Sequence, residues 1–451
     1  MRRILPFIFS VLLCAGLSGC FSISADELLT LPAQPQDAVE LQNQIKKQQT
    51  LGAQLAPPAG VQSQAIQKQD VDGDGVEETV IFYRRQGENP LYIMFYRKTT
   101  DGYEPFAVIE GEGEAIESVD YVDMNNSGVP EILVGWQAGQ GVLKALDIYR
   151  LQAGQMTRLK SISNYSAYTL QDFNGDGRQE LLILRKDMSA LTCMIEMYGY
   201  VSEGDEIEMI SEAPLSNGIG AILRFKTGLL SDRHPAAFVV SQYDAGSVVT
   251  DIFTLRDGTM RNVTRNEETG VSDATVRWYT KPVGIDINGD GIMDIPAPME
   301  LPPYDPEAEN QDTQWVIQWH SFDSWGVPWV EMTTWHNYTD SWYLVLPEAW
   351  LPGLTVTRLS PSAGEKGVVF AVRGETGPPR DLMVIYSLTG DNRKELSEKE
   401  GRVPLLENTE MIVAAEILPW ADGPYTIDAE ELTGRIFEIQ KEWITGELNL
   451  G

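Results

Sequence analysis

Four stretches of the 451-residue sequence carry oxygen donors at one repeated spacing. They read Asp70-Val-Asp-Gly-Asp-Gly-Val-Glu-Glu78, Asp123-Met-Asn-Asn-Ser-Gly-Val-Pro-Glu131, Asp172-Phe-Asn-Gly-Asp-Gly-Arg-Gln-Glu180 and Asp286-Ile-Asn-Gly-Asp-Gly-Ile-Met-Asp294. Loop positions 1, 3, 5 and 9 bear side-chain oxygens, and position 6 is Gly. With the position-7 carbonyl, six or so hard oxygens become available, which suits calcium better than magnesium. The expected ligand sets are Asp70, Asp72, Asp74, Val76 and Glu78; Asp123, Asn125, Ser127, Val129 and Glu131; Asp172, Asn174, Asp176, Arg178 and Glu180; and Asp286, Asn288, Asp290, Ile292 and Asp294. The residue at position 7 would contribute only its carbonyl. The second set should bind most weakly, because Ser127 replaces an acid and Asn126 replaces a Gly. Up to four structural calcium ions follow, although the donors fix no ionic radius and leave magnesium or manganese open. A cation here either staples its own loop or bridges the protein to a ligand. The nearly complete donor sets favour the staple.

Other reactive residue types are sparse. The three histidines, His234, His320 and His336, lack the spacing of a zinc site. Cys193 sits in the apolar run Leu191–Ile195 and reads as a small buried hydrophobe. No nucleophile elbow, phosphate loop or His-Glu-x-x-His stretch is present. Seven of the eleven tryptophans fall between Trp315 and Trp350. They form either a stacking platform or a packed end of the repeat region, and the alternation Trp315-Ile317-Trp319 fits a strand face. Trp325, in the turn Asp323-Ser-Trp-Gly326, is the ring placed best to stack on a ligand.

The flanks of the loops show what must position them. Apolar strands leave them at Thr79–Tyr83, Ile132–Trp136 and Leu181–Leu184, and a hairpin follows each. Hairpin turns carry Gly or Asp at Thr100–Gly102, Gln152–Gly154, Glu203–Asp205 and Arg256–Gly258. Loop starts at 70, 123, 172 and 286 leave a final gap of 114 residues, about twice the others. A degenerate unit at 223–240 fills it, having lost nearly all its acids, so no cation is expected there. Four strands in roughly 50 residues is the arithmetic of a β-propeller blade.

The Asp-x-Asp/Asn-x-Asp-Gly core, repeated between strands, resembles the FG-GAP/VCBS repeat family, which includes integrin-type propellers and many bacterial surface proteins. The expected fold is therefore mainly β: a five-bladed propeller of FG-GAP/VCBS-like repeats over 61–337, then a small α+β domain over 338–451, for which a sixth blade is the alternative. Within that last segment, strands are expected at 354–359, 367–373, 381–387 and 411–417, and an amphipathic helix over Asp428–Trp443 on the spacing of Leu432, Ile436, Ile439 and Trp443. The acidic, Pro-rich loop 302–312 reads as a solvated insertion.

Residues 1–19 read as a targeting segment, with Arg2 and Arg3 before the apolar run Ile4–Ala15. The end, Leu17-Ser-Gly-Cys20, resembles the lipobox of bacterial lipoproteins, which implies a diacylglycerol on Cys20. Residues 20–60 then form a tether with one short helix near 37–49. The net charge of −32 argues against nucleic acid as a partner. These features lead to a non-enzymatic lipoprotein on the outer face of a bacterial membrane, binding an extracellular or envelope protein or a glycan. The alternative is a hydrolase or lyase acting on extracellular polysaccharide.

Overall fold

A computed structural model describes residues 36–60, 62–138, 144–187, 192–201, 206–278, 284–308, 312–374, 377–421 and 423–440. The targeting segment, Cys20, the turn 203–205 and Trp443 lie outside these residues. The described chain is mainly β, arranged as six antiparallel sheets in chain order. The first is built on strands Ile66–Gln69, Glu78–Arg84, Leu91–Thr99 and Gly102–Gly111. The second runs Ala115–Val122, Glu131–Gln137, Lys144–Gln152 and Gln155–Ser163. The third runs Ala167–Gln171, Glu180–Asp187, Thr192–Tyr200 and Ile207–Pro214. The degenerate unit forms the fourth sheet, with strands Ile222–Leu229, Pro235–Gln242, Val248–Arg256 and Thr259–Asn262.

The second strand of each of these sheets is a continuous apolar run because both of its faces are covered. Val80 and Phe82 pack toward the second sheet, while Ile81 and Tyr83 face the other way. Leu182 and Leu184 pack toward the fourth sheet, and Leu181 and Ile183 toward the second. Successive sheets thus share apolar clusters, one after another, from the first to the sixth. Among the described residues, none of these clusters joins the sixth sheet to the first. The outer face of the first sheet is covered instead by helix α1, Gln36–Thr50, through Leu41 and Ile45. Gln44 Nε2 of α1 donates to the Tyr103 carbonyl at 2.6 Å. The expected helix is therefore present, and it docks rather than hanging free in a tether.

The C-terminal segment differs from the separate α+β domain expected at 338–451. The fifth sheet consists of Ile295–Glu300, Trp315–Phe322, Pro328–Asn337, Trp342–Val345 and Ile436–Glu438. A boundary at 337/338 would cut the hairpin whose register pairs Asn337 with Trp342. The sixth sheet has the order Leu354–Arg358, Glu365–Val372, Arg380–Thr389, Met411–Ile417 and Arg402–Glu407, with helix α2, Arg393–Ser397, at the crossover. It shares one core with the fifth sheet, built around Trp335, Trp342, Trp350 and Phe370. Four of its strands were expected from the sequence, but without an acidic loop nothing marked them as a repeat unit. The expected C-terminal helix shrinks to α3, Ala429–Thr433, N-capped by Asp428. The chain leaves it at Gly434 and becomes a strand, so Ile436 is buried as a strand residue.

The 302–312 loop is also anchored rather than only solvated. Arg373 Nη2 donates to the Tyr304 carbonyl at 2.6 Å, and Tyr304 Oη donates to Asp381 at 2.8 Å.

Candidate metal centres in the acidic loops

Each of the first three acidic loops connects the first and second strands of its sheet. The fourth connects the isolated Ile285–Asp294 bridge to the strand Ile295–Glu300. All four share one hydrogen-bond framework. The position-1 carboxylate accepts the position-6 N–H: Gly75, Gly128, Gly177 and Gly291 donate at 2.8, 2.7, 3.0 and 2.8 Å. The position-3 side chain accepts the position-5 N–H at 3.2, 3.1, 2.8 and 3.1 Å. The position-9 carboxylate is buried and accepts the position-2 N–H from Val71, Met124, Phe173 and Ile287 at 3.1, 2.8, 2.8 and 3.1 Å.

The backbone explains the glycines. Position 6 has φ of 84–86° in all four loops, the left-handed region where a Cβ is strained. Position 4 has φ of 75–77° at Gly73, Gly175 and Gly289. Asn126, at φ 58°, fills it in the second loop, and Asn tolerates this region better than most residues.

The loops differ in how the buried position-9 carboxylate is balanced. In the first, Arg97 pairs with both Asp72 and Glu78, and its Nε lies 3.4 Å from Glu78. In the second, Arg150 Nη1 lies 3.4 Å from Glu131, and Tyr200 donates to the same oxygen at 2.8 Å. Both arginines lie 19 residues after their acid. In the third loop that place is Gly199, whose would-be Cβ lies 3.4 Å from Glu180 Cγ. Among the described residues, only the Asn174 amide donates to the outer oxygen Glu180 Oε1, at 2.8 Å. In the fourth, Asp294 Oδ1 is buried with no partner. Burial raises Asp294 to a pKa of about 7, with Asp290, Glu331 and Asp286 adding repulsion. Burial likewise lifts Glu78, Glu131 and Glu180 above the usual carboxylate value.

Among the described residues, one set of expected carboxylate ligands converges, that of the first loop. Asp70, Asp72 and Glu78 offer oxygens within 4.8 Å of one another. Among the described residues, the buried acids of the third and fourth loops lack an arginine, and Asp294 has an orphaned oxygen, a deficit that a hard cation would relieve. In the second, Arg150 and Tyr200 already engage the outer oxygen of Glu131. Arg97, Arg150, Tyr200 and Gly199 escaped the sequence reading, although the constant 19-residue offset is legible in it.

Neighbouring loops also touch. Gln179 N donates to the Met124 carbonyl at 3.1 Å. A Cβ on Gly73 would come within 2.2 Å of the Gly128 carbonyl oxygen. Arg233 of the degenerate loop, itself at φ 66°, donates to the Asp290 carbonyl at 3.0 Å.

The tryptophan cluster divides. Trp319, Trp335, Trp342 and Trp350 are fully buried in and beside the fifth sheet. Trp325 is 69% exposed and Trp329 58%, at the hairpin between Trp315–Phe322 and Pro328–Asn337. The Arg256 guanidinium lies 3.4 Å over the Trp325 ring. His336 is buried beside Trp319 and Tyr343, and burial drives its pKa down to about 3. Cys193 is partly buried and unpaired, packed against the core between the third and fourth sheets. No described helix is long and apolar enough to cross a membrane.

No protein-family model and no curated protein matches this chain. Solved structures with some likeness include an exo-beta-1,3-galactanase from Phanerochaete chrysosporium, 9% identical over 75% of this chain and 81% of that one, with a TM-score of 0.25. Another is the rhamnogalacturonan lyase YesW, 10% identical over 80% and 91%, with a TM-score of 0.30. A third is the Dos1 propeller, 8% identical over 81% of each chain, with a TM-score of 0.30. Likenesses at this level carry no argument about function.

Proposed function

We propose that the chain is a non-enzymatic binding scaffold whose six sheets are blades of a propeller-like array stapled by calcium in its acidic loops. The observation that carries this reading is the shared loop framework, with a buried position-9 acid that lacks an arginine in the third and fourth loops. A bound cation would neutralise the clustered acids and accept the orphaned Asp294 oxygen as a ligand; the chain's own contribution is the preformed cradle of backbone N–H groups that orients the donors. The scaffold would sit on the outer face of a bacterial membrane through a lipid on Cys20. Two acyl chains anchor stably where one does not. Its partner would be a glycan or an envelope or extracellular protein, met by the exposed Trp325 and Trp329, since such rings present a large flat face at low entropic cost.

Chelation tests the staple. EDTA should lower the melting temperature of the full chain and added calcium should restore it, because a ligand of the native state stabilises it by mass action. An unchanged melting curve would rule the staple out. A glycan and envelope-extract binding screen, with Trp325→Ala and Trp329→Ala beside the parent, tests the surface. Full binding by both variants would exclude it.

A further inference from the structure

A groove of about 750 Å³ runs along the edge of the fifth sheet, between the fourth acidic loop and α3. That size lies within the range of about 300–1,000 Å³ usual for small-ligand pockets. Its floor is one face of the sheet, with Met332, Tyr343, Val345 and Phe437 supplied by three neighbouring strands. Ile285 and Ile287 cover this face as far as Tyr343, which is 5% exposed. The last strand, Ile436–Glu438, is the sheet edge, and its Phe437 ring is 42% exposed.

Rings on the three strands stack in series. The His336 and Tyr343 centroids lie 5.1 Å apart, and those of Tyr343 and Phe437 5.3 Å. The series ends in the open Phe437 ring. Elsewhere the chain lays its own arginines over rings left partly open to water: Arg97 over Phe106, Arg256 over Trp325, Arg380 over Tyr425 and Arg402 over Tyr386. Among the described residues no cation lies over Phe437. Arg435, which lines the same groove, is held instead by Glu431, to which Nε donates at 3.0 Å and Nη2 at 2.7 Å.

The rim is acidic and accessible. Glu430 is exposed and has no hydrogen-bond or ion-pair partner among the described residues. Glu438 is exposed too, and Asn408 Nδ2 engages only its Oε1, at 2.8 Å. Asp286 also lines the groove, but its oxygens accept the Gly289 and Gly291 N–H groups of its own loop. An aromatic face and a carboxylate each attract a cation, and the apolar floor adds contact for a carbon body. A neutral ligand would use the floor alone, and the rim would repel an anion.

We propose that this groove binds a small organic cation, an ammonium group on an apolar body. Its charge is met by Phe437, Glu430 and Glu438, and its body lies along Met332 and Val345. The site is independent of calcium in the acidic loops and of the exposed tryptophans.

Isothermal titration of the full chain with benzylammonium chloride, against benzyl alcohol and sodium benzoate at neutral pH and matched ionic strength, tests it. Benzylammonium should bind saturably at one site per chain, benzyl alcohol about tenfold more weakly or worse, and benzoate not at all. Phe437→Leu keeps an apolar side chain but removes the ring face, and should weaken benzylammonium by about tenfold. Glu430→Gln with Glu438→Gln should do the same. These side chains lie at the exposed sheet edge and groove rim, so the changes are mild for the fold. Glu112→Gln with Glu114→Gln, at two exposed acids between the first and second sheets, should leave the affinity unchanged. Absence of saturable heat, equal binding of the alcohol, or unchanged affinity in either groove variant would overturn the proposal. So would an equal loss in the Glu112→Gln, Glu114→Gln variant, which would mean that the net charge of −32 alone collects the cation.

Discussion

At the scale of single residues, the four loops share one backbone and differ in how they hold a buried charge. Glu131 is fully buried, with Arg150 beside it and only 8% of the arginine side chain exposed. Removing one partner of such a pair strands the other, which typically costs about 3–5 kcal/mol. Arg150→Leu should therefore destabilise the chain by about 3 kcal/mol in denaturant titration, and the loss should shrink when calcium is added. A loss that ignores calcium would mean that the second loop cannot exchange its arginine for a cation. Glu196 makes a separate case. Burial pushes its carboxyl up, but hydrogen bonds from Arg185 and Tyr198 outweigh this and leave it below its ordinary value. A lowered folded-state value stabilises the protein above the unfolded value, and the gain disappears as pH falls through the folded value. Glu196→Gln should accordingly cost more stability at neutral pH than in acid, measured by urea unfolding at both. An equal cost would show that the ion pair is worth nothing in the fold.

At the scale of elements, α1 docks on the first sheet. Leu41 and Ile45 lie one helical turn apart and are partly buried against Ile81, Tyr83, Tyr92 and Tyr96. Leu41→Asp with Ile45→Asp should lower stability by about 2 kcal/mol, from the lost apolar contact, and should raise proteolysis near residue 50. Unchanged melting and digestion would mean that α1 only rests on the sheet. Much of this architecture was legible beforehand. The hairpin registers follow the period-2 pattern, as in Ile93 opposite Ile109 and Leu146 opposite Ile162. The degenerate fourth unit appeared where the 114-residue gap required it. Four strands of the sixth sheet were expected, but in a separate domain, because they carry no acidic loop; the strand Arg402–Glu407 and the crossover through α2 that exchanges the last two were not. The terminal helix was overcalled because spacings of four, three and four also arise when a short helix ends at a Gly and a strand follows. In the site, donor types were readable from the loops alone. The arginines that compete with a cation were not, since they come from the third strand of each sheet.

At the scale of the whole molecule, the sheets form a series in which each covers the next. The N-terminal end of that series is closed by α1, and α2 packs on Leu388, Ile412 and Ala414 of the sixth sheet. Repeat arrays need such polar-faced ends to remain soluble. A sheet face lined by Ile81, Tyr83, Tyr92 and Tyr96 would be an exposed apolar patch if bare, and α1 shields it from water. The segment that reads as a leash in the sequence therefore also covers an apolar face: cutting before α1 should leave that face covered, whereas cutting after it should lay it bare.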